Sequence, residues 1–160
     1  MKLTFEEIKE HVTKVNGEKT ILSLSYYDID ELPEGLEVDT LEINDTGISK
    51  LPEDLIVKSC LDIAFTHIDE LPKGCLDIID LYAEQSDITT VPIMKNIRYL
   101  NLSRTNISEL PKGLNLIELD VSYTNINELP EDLIVSDILT IPKNVKIPEG
   151  CKLCKKIYRV

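Results

Sequence analysis

Apolar residues fall along most of this chain in an order that returns every 19 or 20 positions. A unit opens at Leu22, Leu41, Leu61, Leu81, Leu100, Leu119 and Leu139, with an apolar residue, a variable one and a second apolar one, as in Leu41-Glu42-Ile43 and Leu119-Asp120-Val121. Alternation with period two over so short a stretch predicts a brief β-strand with one buried face. Strands that recur once per turn in the same direction pair in parallel. The sixth position holds Thr46, Thr66, Ser86, Thr105 or Thr124. Their hydroxyls are expected to bond the backbone of the adjoining turn as an internal polar ladder. Ile48, Ile68, Ile88, Ile107 and Ile126 then return to the core, and each unit closes on a pair such as Leu51-Pro52 or Leu110-Pro111. No unit of this length buries its apolar face alone, so the pattern predicts a solenoid whose neighbouring turns supply the core.

Proline fixes φ and removes a backbone donor, which suits an extended outer arc outside the sheet. The residues that follow, as in Pro33-Glu34-Gly35-Leu36 and Pro52-Glu53-Asp54-Leu55, place Gly or Asp where a tight turn is needed. The fourth unit departs from this with Pro92-Ile93-Met94-Lys95, and the seventh reaches Ile147-Pro148 two residues early. One further step from Leu139 lands on Tyr158-Arg159-Val160, which predicts a final edge strand. Ahead of the repeats, Thr4-Phe5-Glu6-Glu7 fits a capping box. Phe5, Ile8, Val12 and Val15 follow at helical spacing, so a helix over 4–15 that ends near Gly17 is expected to cover the first turn.

The pattern L-x-L-x-x-T-x-I-x-x-L-P resembles the short bacterial class of leucine-rich repeat, best known in secreted effector proteins of pathogens. Its threonine variant is also similar to repeats in phage and other bacterial proteins. The resemblance covers residues 20–151. It implies an α/β-class leucine-rich-repeat solenoid, a right-handed superhelix of short parallel strands with extended convex segments and an N-terminal capping helix. The expected organisation is a single domain over 1–160, with a helical cap at 1–19, about seven repeats at 20–151 and a basic edge strand or cap at 152–160. For function the resemblance implies a protein-binding scaffold and not an enzyme.

A formal net charge of −12 argues against nucleic acid or an anionic membrane as a direct ligand. The charge is unevenly placed. Residues 138–160 carry six basic side chains against Glu149 alone, a local +5, which leaves −17 on residues 1–137. The basic end reads as a charged cover that discourages edge pairing, or as a contact for an acidic partner. No apolar run approaches the roughly 20 residues that span a bilayer, and no signal-like N-terminus is seen, so a cytoplasmic location is expected, or the cytoplasm of a host cell if the chain is exported without a cleaved signal. The four cysteines are expected to be reduced thiols. A lone Cys151-x-x-Cys154 lacks the four ligands of a structural zinc site.

Strand residues that point away from the core define the expected partner face, the concave one on such a scaffold. By register this face carries Tyr26, Glu42, Asp45, Asp62, Phe65, Asp80, Tyr82, Glu84, Tyr99, Arg104, Glu118, Asp120 and Tyr123. Five of the eight aromatics fall there, and rings among carboxylates suit an interface anchored by aromatics and steered by charge. The other reading is a solvated strand face whose aromatics reflect β-propensity. Two functions are therefore expected to compete. One is an interaction module, a bacterial or phage effector or inhibitor, that binds a protein with a basic surface. The other is an acidic decoy that mimics nucleic acid and blocks a basic nucleic-acid-binding protein. Glu42 and Asp62 share a column as paired carboxylates do in glycosidases, but a regular strand face offers no substrate pocket. No catalytic residue, cofactor or metal is expected, and a monomer is favoured. The register also predicts that an Asp at position 102 is severely destabilising while one at 103 costs little.

Overall fold

The computed structural model describes residues 4–15 and 19–160. Among them a short helix α1 (Phe5–Lys9) precedes ten strands: β1 (Val12–Val15), β2 (Lys19–Ser23), β3 (Glu37–Glu42), β4 (Ile56–Asp62), β5 (Asp80–Tyr82), β6 (Tyr99–Asn101), β7 (Asn115–Asp120), β8 (Ile134–Ile141), β9 (Lys152–Leu153) and β10 (Lys156–Arg159). Strands β2 to β8 pair in parallel in chain order, and β10 continues the sheet beyond β8. The register aligns Leu22, Leu41, Leu61, Leu81, Leu100, Leu119 and Leu139 in one row. Each is at most 2% exposed. One parallel strand per turn of 19 or 20 residues makes the chain a leucine-rich-repeat-like solenoid of about seven turns, mostly β with little helix.

Turn length has a local cause. Val38, Val57, Ile78, Ile97, Leu116 and Val135 form a further buried row just ahead of the opening leucines. The pairing slips by one residue between Val38 and Thr40 on β3 and between Leu116 and Glu118 on β7. In both cases the partner strand carries one more residue between its two core positions, and these are two of the three steps that take 20 residues. A bulge absorbs the insertion and leaves both core rows in register. The third step takes its extra residue at a 3-10 turn, Lys73–Cys75. There Gly74 lies so close to the preceding turn that a Cβ would sit 2.1 Å from the carbonyl oxygen of Leu55. The irregular fourth unit keeps its core by substitution, with Met94 buried in place of the usual leucine and Ile93 turned out to solvent.

Two expectations need correction here. Helix α1 has the expected capping box, with Thr4 N donating to Glu7 Oε2 at 2.8 Å and Glu7 N donating to Thr4 Oγ1 at 3.4 Å. It does not run to residue 15. Val12–Val15 is instead a strand antiparallel to β2. Three of its four residues are β-branched, and the open edge of β2 offers backbone partners that a short isolated helix could not match. Gly17, the expected helix stop, lies outside the described residues. The sixth-position hydroxyls also close within their own turn. Oγ1 of Thr46, Thr66, Thr105 and Thr124 each donates to the carbonyl three residues back at 2.7 Å, and Ser86 Oγ does so at 2.8 Å.

Candidate functional site

The face of the sheet opposite the core is built from two columns of side chains. The column ahead of the leucine row reads Thr40, Cys60, Asp80, Tyr99, Glu118, Ile138 and Lys156. The column behind it reads Glu42, Asp62, Tyr82, Asn101, Asp120, Thr140 and Tyr158. Neighbours in a column are one strand spacing apart, about 4.8 Å. Tyr82 and Tyr99 sit diagonally across adjacent strands. Beyond them a shallow hollow of about 190 Å³ is lined by Tyr82, Tyr99, Glu118, Asp120, Ile138 and Thr140, among others. Asn101 leaves it open, since this shorter side chain stands between Tyr82 and Asp120 and its Oδ1 is drawn back to accept from Ser103 N at 3.0 Å and Ser103 Oγ at 2.7 Å. This hollow is not legible from residue spacing, because it depends on how one short residue is tethered.

Past the strands, a third column follows a backbone constraint. Tyr26, Asp45, Phe65, Gln85, Arg104 and Tyr123 all have positive φ, between 54 and 67°. The amides of the first five extend the parallel ladder to the next turn, as from Phe65 N to Glu84 O at 2.8 Å and from Arg104 N to Ser122 O at 2.9 Å. The left-handed conformation costs an ordinary L-residue about 1–2 kcal/mol and favours Gly or Asn, yet three of these positions hold aromatics. Tyr26, Phe65 and Tyr123 are 75, 46 and 61% exposed. Folding alone does not call for rings there. Tyr26→Asn is therefore expected to stabilise the chain by about 0.5 kcal/mol in a urea titration. An unchanged or lower midpoint would mean that the ring supports the fold.

The structure joins Arg104 and Tyr123 of this column with Glu84, one position ahead of it, and all three are expected site residues. Arg104 places its guanidinium 4.8 Å from the centre of the Tyr123 ring and its Nε 3.6 Å from Glu84 Oε1. The fourth position, by contrast, lines the face only in part, with Glu84 partly exposed. Ala64, Ser103 and Ser122 are buried there, under an Asx turn formed by the residue two places earlier. Asp62 Oδ1 accepts from Ala64 N at 3.0 Å, and Asp120 Oδ1 accepts from Ser122 N at 2.8 Å. Asp62, Asn101 and Asp120 thus serve the backbone with one oxygen. Tyr99 is also only partly exposed, whereas Tyr82 is 39% exposed.

The acidic centre of the face works against folding. Burial raises the pKa of Asp80, and Asp80 Oδ1 is a buried side-chain oxygen with no hydrogen-bond partner among the described residues. Burial also raises Asp62, opposed by its bond from Ala64 and reinforced by the charge of Glu42. Cys60 between them is pushed up to about 12, first by burial and then by Asp80, Asp62 and Glu42, so it stays a thiol at neutral pH. A carboxylate whose folded pKa is raised stabilises the fold only while protonated, and that contribution is lost as pH rises through the folded value. Asp80→Asn is accordingly expected to stabilise the chain at neutral pH by about 1 kcal/mol. The gain should vanish below the ordinary aspartate pKa of about 3.9. Unfolding midpoints at neutral and acid pH check both halves.

Comparison with known proteins adds little to this geometry. No family model and no curated protein matches the chain. Among solved structures, YopM from Yersinia enterocolitica WA-314 is similar at 18% identity and a TM-score of 0.31, over 82% of this chain and 49% of that one. The chain spans about half the length of that protein. At this score the likeness carries no argument, and the repeat assignment rests on the strand register described above.

Proposed function

We propose that this chain is a protein-interaction module, an adaptor, effector or inhibitor and not an enzyme. Its partner site is the outward face of the sheet, expected to be the concave one, and its partner is a protein with a basic surface. One observation carries the reading. The face collects residues that do the fold no service: rings at left-handed turn positions and a desolvated aspartate with an unpaired oxygen. Mutation and selection retain destabilising residues where they serve function. The proposed site comprises the rings of Tyr26, Phe65, Tyr82, Tyr99 and Tyr123. With them stand the charges of Glu42, Asp45, Asp62, Asp80, Glu84, Arg104, Glu118 and Asp120. A bacterial or phage setting and a cytoplasmic location belong to the same proposal.

Affinity capture on the immobilised full chain, followed by face variants, tests it. A captured protein should lose binding when Tyr82 and Tyr99 are truncated together and keep it when the exposed outer-arc residues Glu53, Lys73, Lys112 and Glu131 are changed. Its affinity should weaken only mildly with added salt, because rings anchor it. Loss through the outer-arc variants alone would move the site to the other side of the coil. A steep salt dependence would instead support the nucleic-acid-mimicking decoy.

A further inference from the structure

We infer that the hollow beside Tyr82 and Tyr99 receives a single arginine side chain of the protein partner, its guanidinium stacked on a tyrosine ring and bonded to Glu118 and Asp120. The inference rests on the sheet face being the partner surface, and it names the chemistry that would be recognised there.

The molecule already contains this arrangement once. Arg104 lies over the Tyr123 ring at 4.8 Å with Glu84 at 3.6 Å, an aromatic face and a carboxylate holding one guanidinium on this same surface. The hollow offers the same groups without the cation. Tyr82 and Tyr99 supply rings on β5 and β6, and Glu118 and Asp120 supply carboxylates on β7. Neither carboxylate is in an ion pair among the described residues, although the charge of Glu118 is felt by both Tyr82 and Lys156. Nearby basic side chains are engaged elsewhere, with Lys156 Nζ on Asp137 Oδ1 at 2.6 Å and Arg98 donating to Asn115 O at 3.0 Å. Asp120 spends Oδ1 on Ser122 N and keeps its other oxygen for a ligand.

Size and shape narrow the occupant. At about 190 Å³ the hollow is smaller than the roughly 300–1,000 Å³ of small-molecule sites and suits one long side chain. Ile138 and Thr140 offer an apolar wall for an aliphatic stem. A guanidinium fits better than an ammonium because its flat fork both stacks on a ring and reaches carboxylates with paired donors.

The test uses the full chain and three blocked tripeptides, Gly-Arg-Gly, Gly-Lys-Gly and Gly-citrulline-Gly, followed by amide chemical shifts. The arginine peptide should shift the amides of Asn101 and Leu119 with millimolar affinity. The lysine peptide should bind about fivefold more weakly, and the uncharged citrulline peptide should leave the spectrum unchanged. Changing Glu118→Gln together with Asp120→Asn should weaken arginine binding about tenfold. Asn101 already forms the same turn with an amide, so that variant keeps its backbone bond, and Glu53→Gln on the exposed outer arc serves as the silent control. Equal binding of the three peptides, shifts confined to other strands, or no shift at all would overturn the inference. Such a failure alongside a captured partner that still depends on Tyr82 and Tyr99 leaves the face reading standing. A partner indifferent to both tyrosines removes the face reading itself.

Discussion

Leu102→Asp is expected to lower unfolding stability by about 4 kcal/mol or more, enough to unfold much of a domain whose whole margin is about 5–15 kcal/mol. Leu102 is fully buried at the second apolar position of its unit, with Ala83 before it and Val121 after it on the neighbouring turns. The change removes an apolar side chain that fills this row and leaves a carboxylate there with no cation to meet. Since turns contact only their neighbours, the damage should spread from the middle outward, and hydrogen exchange should rise first over β5 to β7. The adjacent Ser103→Asp is not the harmless change that strict alternation implies. Ser103 is 5% exposed, and its N–H and hydroxyl both donate to Asn101 Oδ1. A carboxylate there would face that oxygen, at a cost of about 1–2 kcal/mol. Asn106→Asp, on an exposed turn, is the neutral control. Urea midpoints in the order 102, 103, 106 check the register, and equal losses at 102 and 106 would refute it.

The second large effect concerns binding. Truncation of Tyr82 or Tyr99 to Ala should each cost on the order of 2 kcal/mol of partner affinity, about thirtyfold. They flank the hollow near the middle of the sheet, where surrounding groups exclude water. The two variants differ in their effect on the fold. Tyr82 is 39% exposed and should unfold at an unchanged midpoint. Tyr99 is partly buried, so its truncation should also lower stability by about 1 kcal/mol. Tyr99→Leu restores packing without the ring and separates the two contributions. Glu42→Gln, at the rim, should instead slow association and flatten its salt dependence. Calorimetry and stopped-flow with a captured partner read these outcomes, and unaltered affinity in both tyrosine variants would place the anchor elsewhere.

Much of the fold was legible because it rests on identity at fixed spacing. The leucine row and the parallel pairing follow from positions that recur with every turn, whereas the final strand, Lys156–Arg159, sits one residue earlier than the count, with Ile157 and not Tyr158 opposite Leu139. What escaped the sequence depends on competition or on tethering. Residues 12–15 satisfy helical spacing, but a free sheet edge beside β-branched side chains won them. The fourth position looked outward by alternation, and the Asx turn made by Asp62, Asn101 or Asp120 folds the chain over it. The left-handed turn was concealed because its usual markers, Gly and Asn, are missing from all six positions. Tyr82, Tyr99, Glu118 and Asp120 were each readable as face residues. Their meeting around one hollow was not, since no single residue encodes it.

The hydroxyl bonds of the sixth position have a consequence for how such a chain changes length. Thr46, Thr66, Ser86, Thr105 and Thr124 each satisfy a carbonyl of their own turn. No turn therefore owes its neighbour a side-chain partner at this buried position. A whole unit can be excised or duplicated without orphaning any of these polar groups, and the leucine rows on either side of the join meet as they did before. The number of turns, and with it the length of the binding face, is free to drift by recombination, while each individual turn is held to its pattern.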